Sequence, residues 1–199
     1  MSLPMTDDWR PVLSRLSAIL LRSDDLKNYA PEGASSSRWC GQPSAAASEI
    51  IRAEERLGVT FPPSYRSFLS ISNGWWPFST FIERLVTVQE VEQLQTVDPE
   101  KLSSLLKAYG GEDTVSDADY LNYETPRNVE MMRMRYYADS LLVGNGWGVE
   151  DDMVLLNPSI VFPNGEWEVI FFANWIAGNQ RYRSFLDIVV ESVQMQERF

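Results

Sequence analysis

The chain has 199 residues, and its 17 Lys and Arg against 28 Asp and Glu give a formal net charge of −11. An apolar content of 44% and an aromatic content of 12% are typical of an ordered globular protein and exclude a disordered one. The acidic balance argues against a nucleic-acid partner, which needs clustered Lys and Arg, and is compatible either with a basic protein partner or with solubility alone.

The first predicted helix covers residues 8–22 and would place its apolar side chains on one face. Asp8 is the predicted cap of this helix. Residues 23–43 are polar and rich in Ser, Gly and Pro, which predicts a long connection. Trp39 is the predicted anchor of that connection on the core.

Residues 48–78 predict two helices joined by a proline elbow. Ile50, Ala53 and Leu57 recur at helical spacing, and Gly58 supplies the left-handed residue that ends a helix. Pro63 suits the first turn of a second helix, because its missing N–H is not needed there. The predicted inward stripe of that helix is Tyr65, Phe68 and Leu69, and Asn73-Gly74 is the predicted stop.

The middle of the chain gives weaker patterns. A short strand is predicted at 85–88 and one or two helical turns at 89–95. Asp98 and Pro99 predict the cap and first position of a helix that ends at Gly110-Gly111. An acidic, turn-rich segment follows, and residues 128–137 fit a helix or a strand equally well.

The last third predicts strands followed by a helix. Strands are expected near 141–144, 153–156 and 167–173, with an Asn164-Gly165 turn before the last of them. Ser184 is the predicted cap of a final helix whose inward residues include Phe185, Ile188 and Val189. We therefore predict an α+β fold, with a mainly antiparallel central sheet and helices packed on it.

The two best-defined stretches resemble the SUKH superfamily, which includes yeast cell-wall regulators and bacterial immunity proteins. In the first half the similarity lies in Ile50…Glu54…Leu57-Gly58, Pro62-Pro63-x-Tyr65-x-x-Phe68-Leu69 and Asn73-Gly74. In the second half it lies in LLVGN, DDMVLLNP, NGEWEVIFFANW and RYRSFLDIV. The resemblance implies one SUKH-like domain over residues 1–199, with a helical motif at 48–78, a variable insertion at 89–137, and a β-rich half with a final helix at 141–195.

The residue types limit the available chemistry. The chain has no His and one Cys, Cys40, which excludes Ser–His–Asp and Cys–His pairs, the usual zinc sites and an intrachain disulfide. Glu150-Asp151-Asp152 is the most site-like carboxylate group, but neighbouring strand residues point to opposite faces, so an exposed acidic hairpin is favoured over a metal site. Glu54 aligns with the acidic residue of the family motif, and a pairing role is favoured over catalysis. We expect no catalytic residues, cofactor or metal.

The resemblance implies a non-enzymatic protein-binding module, and three functions stay open. The first is an immunity protein that neutralises a bacterial toxin, for instance a nuclease, by stoichiometric binding. The second is a housekeeping regulatory scaffold, and the third is a carboxylate-dependent metal hydrolase. Without a membrane span or a secretion signal in the sequence, a cytoplasmic location is expected.

The predicted partner-binding residues are acidic groups on irregular segments and two tryptophans beside turns. Loops carry function more often than the scaffold does, and exposed aromatic side chains are typical binding hot spots. The partner is expected to be a basic protein, with no nucleic acid and no membrane involved. The predicted residues are Trp76, Glu112, Asp113, Asp117, Asp119, Trp147, Glu150, Asp151 and Asp152.

Overall fold

A single antiparallel sheet forms the centre of the computed structural model, which describes residues 9–111, 115–123, 131–148, 152–176 and 178–198. The strands are β1 Ile82–Leu85, β2 Glu92–Gln93, β3 Leu141–Gly146, β4 Met153–Val161, β5 Trp167–Phe172 and β6 Asn179–Tyr182. Their order in the sheet is β1-β3-β4-β5-β6, and β2 pairs with β3 on the same edge as β1. The central pair, β4 and β5, keeps one register from Met153 opposite Phe172 to Asn157 opposite Glu168.

Helices lie on both faces of the sheet. The helices are α1 Trp9–Leu20, α2 Ala34–Ser37, α3 Ala47–Leu57, α4 Pro63–Ile71, α5 Leu94–Val97, α6 Pro99–Tyr109, α7 Asp117–Tyr120 and α8 Phe185–Gln196. One face of the sheet shares a buried cluster with α1, α3, α4 and α8. The other face shares a second cluster with α5, α6 and a 3₁₀ turn at Met134–Tyr136.

The core of the first face is built on aromatic side chains. The ring of Phe68 lies 5.5 Å from that of Trp9 and 5.2 Å from that of Phe185, so residues of α1, α4 and α8 meet at one point. Phe68 and Leu69 are fully buried, as the helical spacing predicts. Burying large aromatic side chains is a main source of stability in such a core.

The proline elbow between α3 and α4 forms as predicted. Gly58 ends α3 in the left-handed conformation with φ 67°, and Pro63 occupies the first turn of α4. Glu54 lies between the two helices: it accepts a hydrogen bond of 2.9 Å from the Phe61 amide and pairs with Arg66 at 3.4 Å. Its carboxylate therefore joins the end of α3 to the start of α4, which is the pairing role expected of it.

The predicted α+β class and antiparallel sheet are confirmed, and several boundaries are not. The strand expected at 85–88 lies at Ile82–Leu85, and β2 occupies part of the segment expected to be helical. Strand β6 was not predicted, because Asn179–Tyr182 carries no alternating apolar pattern. The α6 helix is confirmed, with Asp98 accepting a hydrogen bond from the Lys101 amide. Asp8 lies outside the described residues.

Candidate functional site

A row of aromatic side chains lies on three loops and a short 3₁₀ turn, Lys27–Tyr29, at one end of the sheet. Tyr29 is 51% exposed and contacts the half-buried Trp147 edge to face, with ring centroids 4.7 Å apart. The indole N–H of Trp147 donates to the carbonyl oxygen of Ser79 at 3.0 Å. That hydrogen bond fixes the ring beside the turn before β1.

The same turn carries the second pair of the row. Phe81 lies two residues beyond Ser79, and its ring centroid is 4.6 Å from that of Trp175, which follows β5. Phe81 is 38% and Trp175 50% exposed. We call Tyr29, Trp147, Phe81 and Trp175 the aromatic ridge. The indole rings of Trp147 and Trp175 are held by hydrogen bonds. Aromatic side chains that are already held lose little conformational entropy on binding, and tryptophan and tyrosine are enriched in binding hot spots.

A groove of about 880 Å³ runs beside the ridge, between the end of α1, the Phe78–Ile82 turn and α8. Phe81 and Trp175 form part of its wall, and Leu26, Phe78 and Ile188 are among its apolar lining residues. A concave, largely apolar surface edged by a few polar groups is the usual form of a recognition site.

The predicted acidic residues do not form one cluster in the described part of the chain. Asp117 is exposed at the start of α7 and pairs with the buried Arg133 at 2.7 Å. Asp119 is exposed and accepts a hydrogen bond from the Ser116 hydroxyl at 2.7 Å. Glu112, Asp113, Glu150 and Asp151 lie outside the described residues. The assignment of all these residues to partner binding stays a prediction.

Asp152 differs from the exposed carboxylate that the sequence suggested. It is only 2% exposed, and its side chain accepts hydrogen bonds from the indole N–H of Trp175 at 3.0 Å and from the Asn174 amide at 3.3 Å. Asp152 therefore positions a ring of the aromatic ridge instead of facing solvent.

The two tryptophans predicted to be partly exposed are so in the structure. Trp76 is 41% exposed, and Trp147 is half-buried in the ridge. Sequence reasoning missed the exposure of Trp175, because most tryptophans near turns and strand ends are expected to be buried, and it missed Tyr29 and Phe81. The signal available for Trp175 and Phe81 was their position directly next to strands.

A buried polar network occupies the second face of the sheet. Glu168, fully buried on β5, accepts hydrogen bonds from Arg181 at 3.0 Å, Asn157 at 2.8 Å and the Tyr123 hydroxyl at 2.5 Å. The Arg181 guanidinium stacks 3.7 Å from the ring centroid of Tyr120. Burial, together with the Glu168 charge, raises the pKa of Tyr120 and Tyr123. The network anchors the segment around α7 to the sheet, and its polar groups are engaged with one another.

Nothing in the described part of the chain suggests a metal centre: no group of three or more His, Cys, Asp or Glu side chains there could hold an ion. None of the described helices has the length and apolar character needed to cross a membrane.

An α+β sheet with helices on both faces and an exposed aromatic ridge has the features of a protein with a recognition surface. Residues 44–190 match the SMI1 / KNR4 family (SUKH-1), and the protein belongs to this family. Members of the family are generally non-catalytic modules that bind protein partners. No curated protein matches the chain significantly. The family match spans both stretches in which the sequence resembles SUKH proteins, and it also includes residues 89–137, for which the sequence predicts a variable insertion.

Proposed function

We propose that this protein is an immunity protein, which neutralises a basic bacterial toxin by stoichiometric binding. The observation that carries the proposal is the aromatic ridge beside an apolar groove, on a chain with a net charge of −11. The exposed rings would supply the contact energy, and the negative field would steer a basic partner. Occlusion of the substrate groove of a toxin, such as that of a nuclease, requires no catalytic residue.

The ridge makes a specific test possible. The partner chosen for the test is a toxin encoded beside the gene, and its affinity for the protein is measured by calorimetry. Phe81→Ala should weaken binding by about 2 kcal/mol or more, the size of a hot-spot truncation, which is about thirtyfold in Kd. Phe81 suits the test because its ring makes no hydrogen bond that the substitution would leave unpaired. Tyr109→Ala, an aromatic residue of α6 that is 44% exposed, is the matched control.

The contribution of charge is tested separately through rates. Glu150→Gln with Asp151→Asn should slow association and reduce its dependence on salt, since charges that steer a partner act mainly on encounter. Equal rates and salt slopes would remove these two residues from the interface and leave the ridge as the binding surface.

The same experiments distinguish the immunity role from its alternative. If a neighbouring toxin fails to bind, and a cellular protein captured by the wild-type chain is lost with Phe81→Ala, the protein is a regulatory scaffold that uses the same surface. If Phe81→Ala and Tyr109→Ala bind a partner equally well, the ridge is not the interface.

A further inference from the structure

A buried carboxylate holds the loop that carries one ring of the aromatic ridge. Asp152 lies directly before β4 and is only 2% exposed. Its Oδ1 accepts a hydrogen bond from the Asn174 amide at 3.3 Å, and its Oδ2 accepts one from the indole N–H of Trp175 at 3.0 Å. The carboxylate therefore fixes both the backbone of the loop after β5 and the orientation of the exposed ring on it.

The contacts of the ridge form a closed circuit through the same residue. The ring of Trp175 packs on that of Phe81, and the turn that carries Phe81 accepts the indole N–H of Trp147. Gly146, the residue before Trp147, closes the circuit by donating its amide to the Asp152 carbonyl oxygen at 2.7 Å. A Cβ at position 146 would lie 2.9 Å from that oxygen, so the contact requires glycine.

The chemistry of the site explains why an aspartate occupies position 152. Burying a carboxylate is unfavourable unless its oxygens accept hydrogen bonds. Here each oxygen faces a different N–H group, one of Asn174 and one of Trp175. Asparagine has nearly the same shape but only one acceptor oxygen, so one of the two N–H groups would face an amide NH₂ group instead.

We propose that Asp152 is a positioning residue of the binding surface, which holds Trp175 in its binding orientation. Affinity for the partner then depends on a side chain that is too deeply buried for the partner to touch. This inference rests on the proposed function, because it takes the ridge as the interface. An aromatic side chain that must first be ordered on binding weakens affinity by about three- to tenfold.

A double-mutant cycle on toxin affinity tests this role, with the toxin encoded beside the gene and calorimetry as the measurement. Asp152→Asn should weaken binding by about three- to tenfold in the wild-type background. In the Trp175→Phe background the same change should weaken binding by less than about twofold, because phenylalanine has no indole N–H to be held. Equal losses in the two backgrounds would overturn the inference.

Two other roles of Asp152 predict different results. If Asp152 steered the partner by its charge, Asp152→Asn would slow association and reduce its salt dependence, whereas loss of a positioned ring speeds dissociation. If Asp152 served stability alone, the melting temperature would fall and the Kd would not change. Asp139→Asn is the matched control, since it removes one negative charge from an exposed residue bonded to Gln95 of α5, and it should leave the Kd unchanged.

A measurement without a partner separates this inference from the immunity role. In ¹⁵N NMR spectra the indole signal of Trp175 is identified by its loss in Trp175→Phe. Asp152→Asn should speed hydrogen exchange of this indole by about tenfold, as the loss of a charge-assisted hydrogen bond implies. The indole of Trp76, which is 41% exposed, is the internal reference and should not change.

The outcomes of the two experiments are distinguishable. Unchanged exchange at Trp175 refutes the positioning role whether or not a toxin binds. Faster exchange, with equal toxin affinity for wild type and Asp152→Asn, refutes the inference and leaves the immunity role standing. If no toxin binds the wild-type chain, the immunity role fails, and the same cycle with a captured cellular protein decides the inference.

Discussion

The buried pair of Glu168 and Arg181 offers the sharpest test of how the middle of the chain is held on the sheet. Glu168 is fully buried and Arg181 only 8% exposed, and their 3.0 Å contact lies beneath Tyr120. Arg181 also donates to the Tyr120 carbonyl oxygen at 2.6 Å. Arg181→Met keeps an unbranched apolar side chain but removes the positive charge and the hydrogen bonds that the guanidinium donates.

The expected cost follows from leaving a carboxylate buried without its cation. Breaking a buried ion pair by removing one partner costs roughly 3–5 kcal/mol, far more than an exposed pair contributes. For a protein of this size, each kcal/mol lowers the melting temperature by about 2–4 °C. Arg181→Met should therefore melt roughly 6–20 °C below wild type.

A second variant identifies the cause of that loss. In Glu168→Gln/Arg181→Met the amide oxygen takes the place of the carboxylate oxygen that accepts from Asn157 and Tyr120, the amide nitrogen faces the Tyr123 hydroxyl, and the pair no longer buries a charge. This double variant should be more stable than Arg181→Met alone, as measured by urea unfolding monitored through tryptophan fluorescence. If Arg181→Met stays within 1 kcal/mol of wild type, or if the double variant is the less stable of the two, the reasoning is wrong.

Two further predictions concern the core and the buried tyrosines. Phe68→Ala should lower the free energy of unfolding by roughly 3–5 kcal/mol, since the ring is fully buried among aromatic neighbours, and an unchanged denaturation midpoint would contradict this. Burial raises the pKa of Tyr65, Tyr120, Tyr123 and Tyr137 above the ordinary value of 10.0. These tyrosines ionise more readily in the unfolded state, so their contribution to stability is full below about pH 10 and is lost as the pH rises beyond it. Absorbance at 295 nm should show them titrating only together with alkaline unfolding, and their ionisation in the folded protein would refute the placement.

The parts of the fold that could be predicted from sequence are those fixed by local chemistry. Gly58, Pro63 and Ser184 each act through their own backbone or the next turn, and all three end or begin helices as expected. The β5 strand was recognisable because residues 166–173 alternate and then become wholly apolar, and the strand Trp167–Phe172 is buried on both faces as this pattern predicts. The burial of Phe68 could be predicted from the helical spacing of the apolar residues alone.

The parts that could not be predicted depend on contacts between distant residues. Pairing of Arg181 with Glu166 or Glu168 is the ordinary expectation from the sequence, and the pair with Glu168 forms. The burial of this pair could not be predicted, because polar residues on strands usually indicate solvent and the segment around Tyr120 covers them. Asp152 belonged to an acidic run, and no local pattern shows that Trp175 covers it. The aromatic ridge likewise joins four segments that are far apart in sequence.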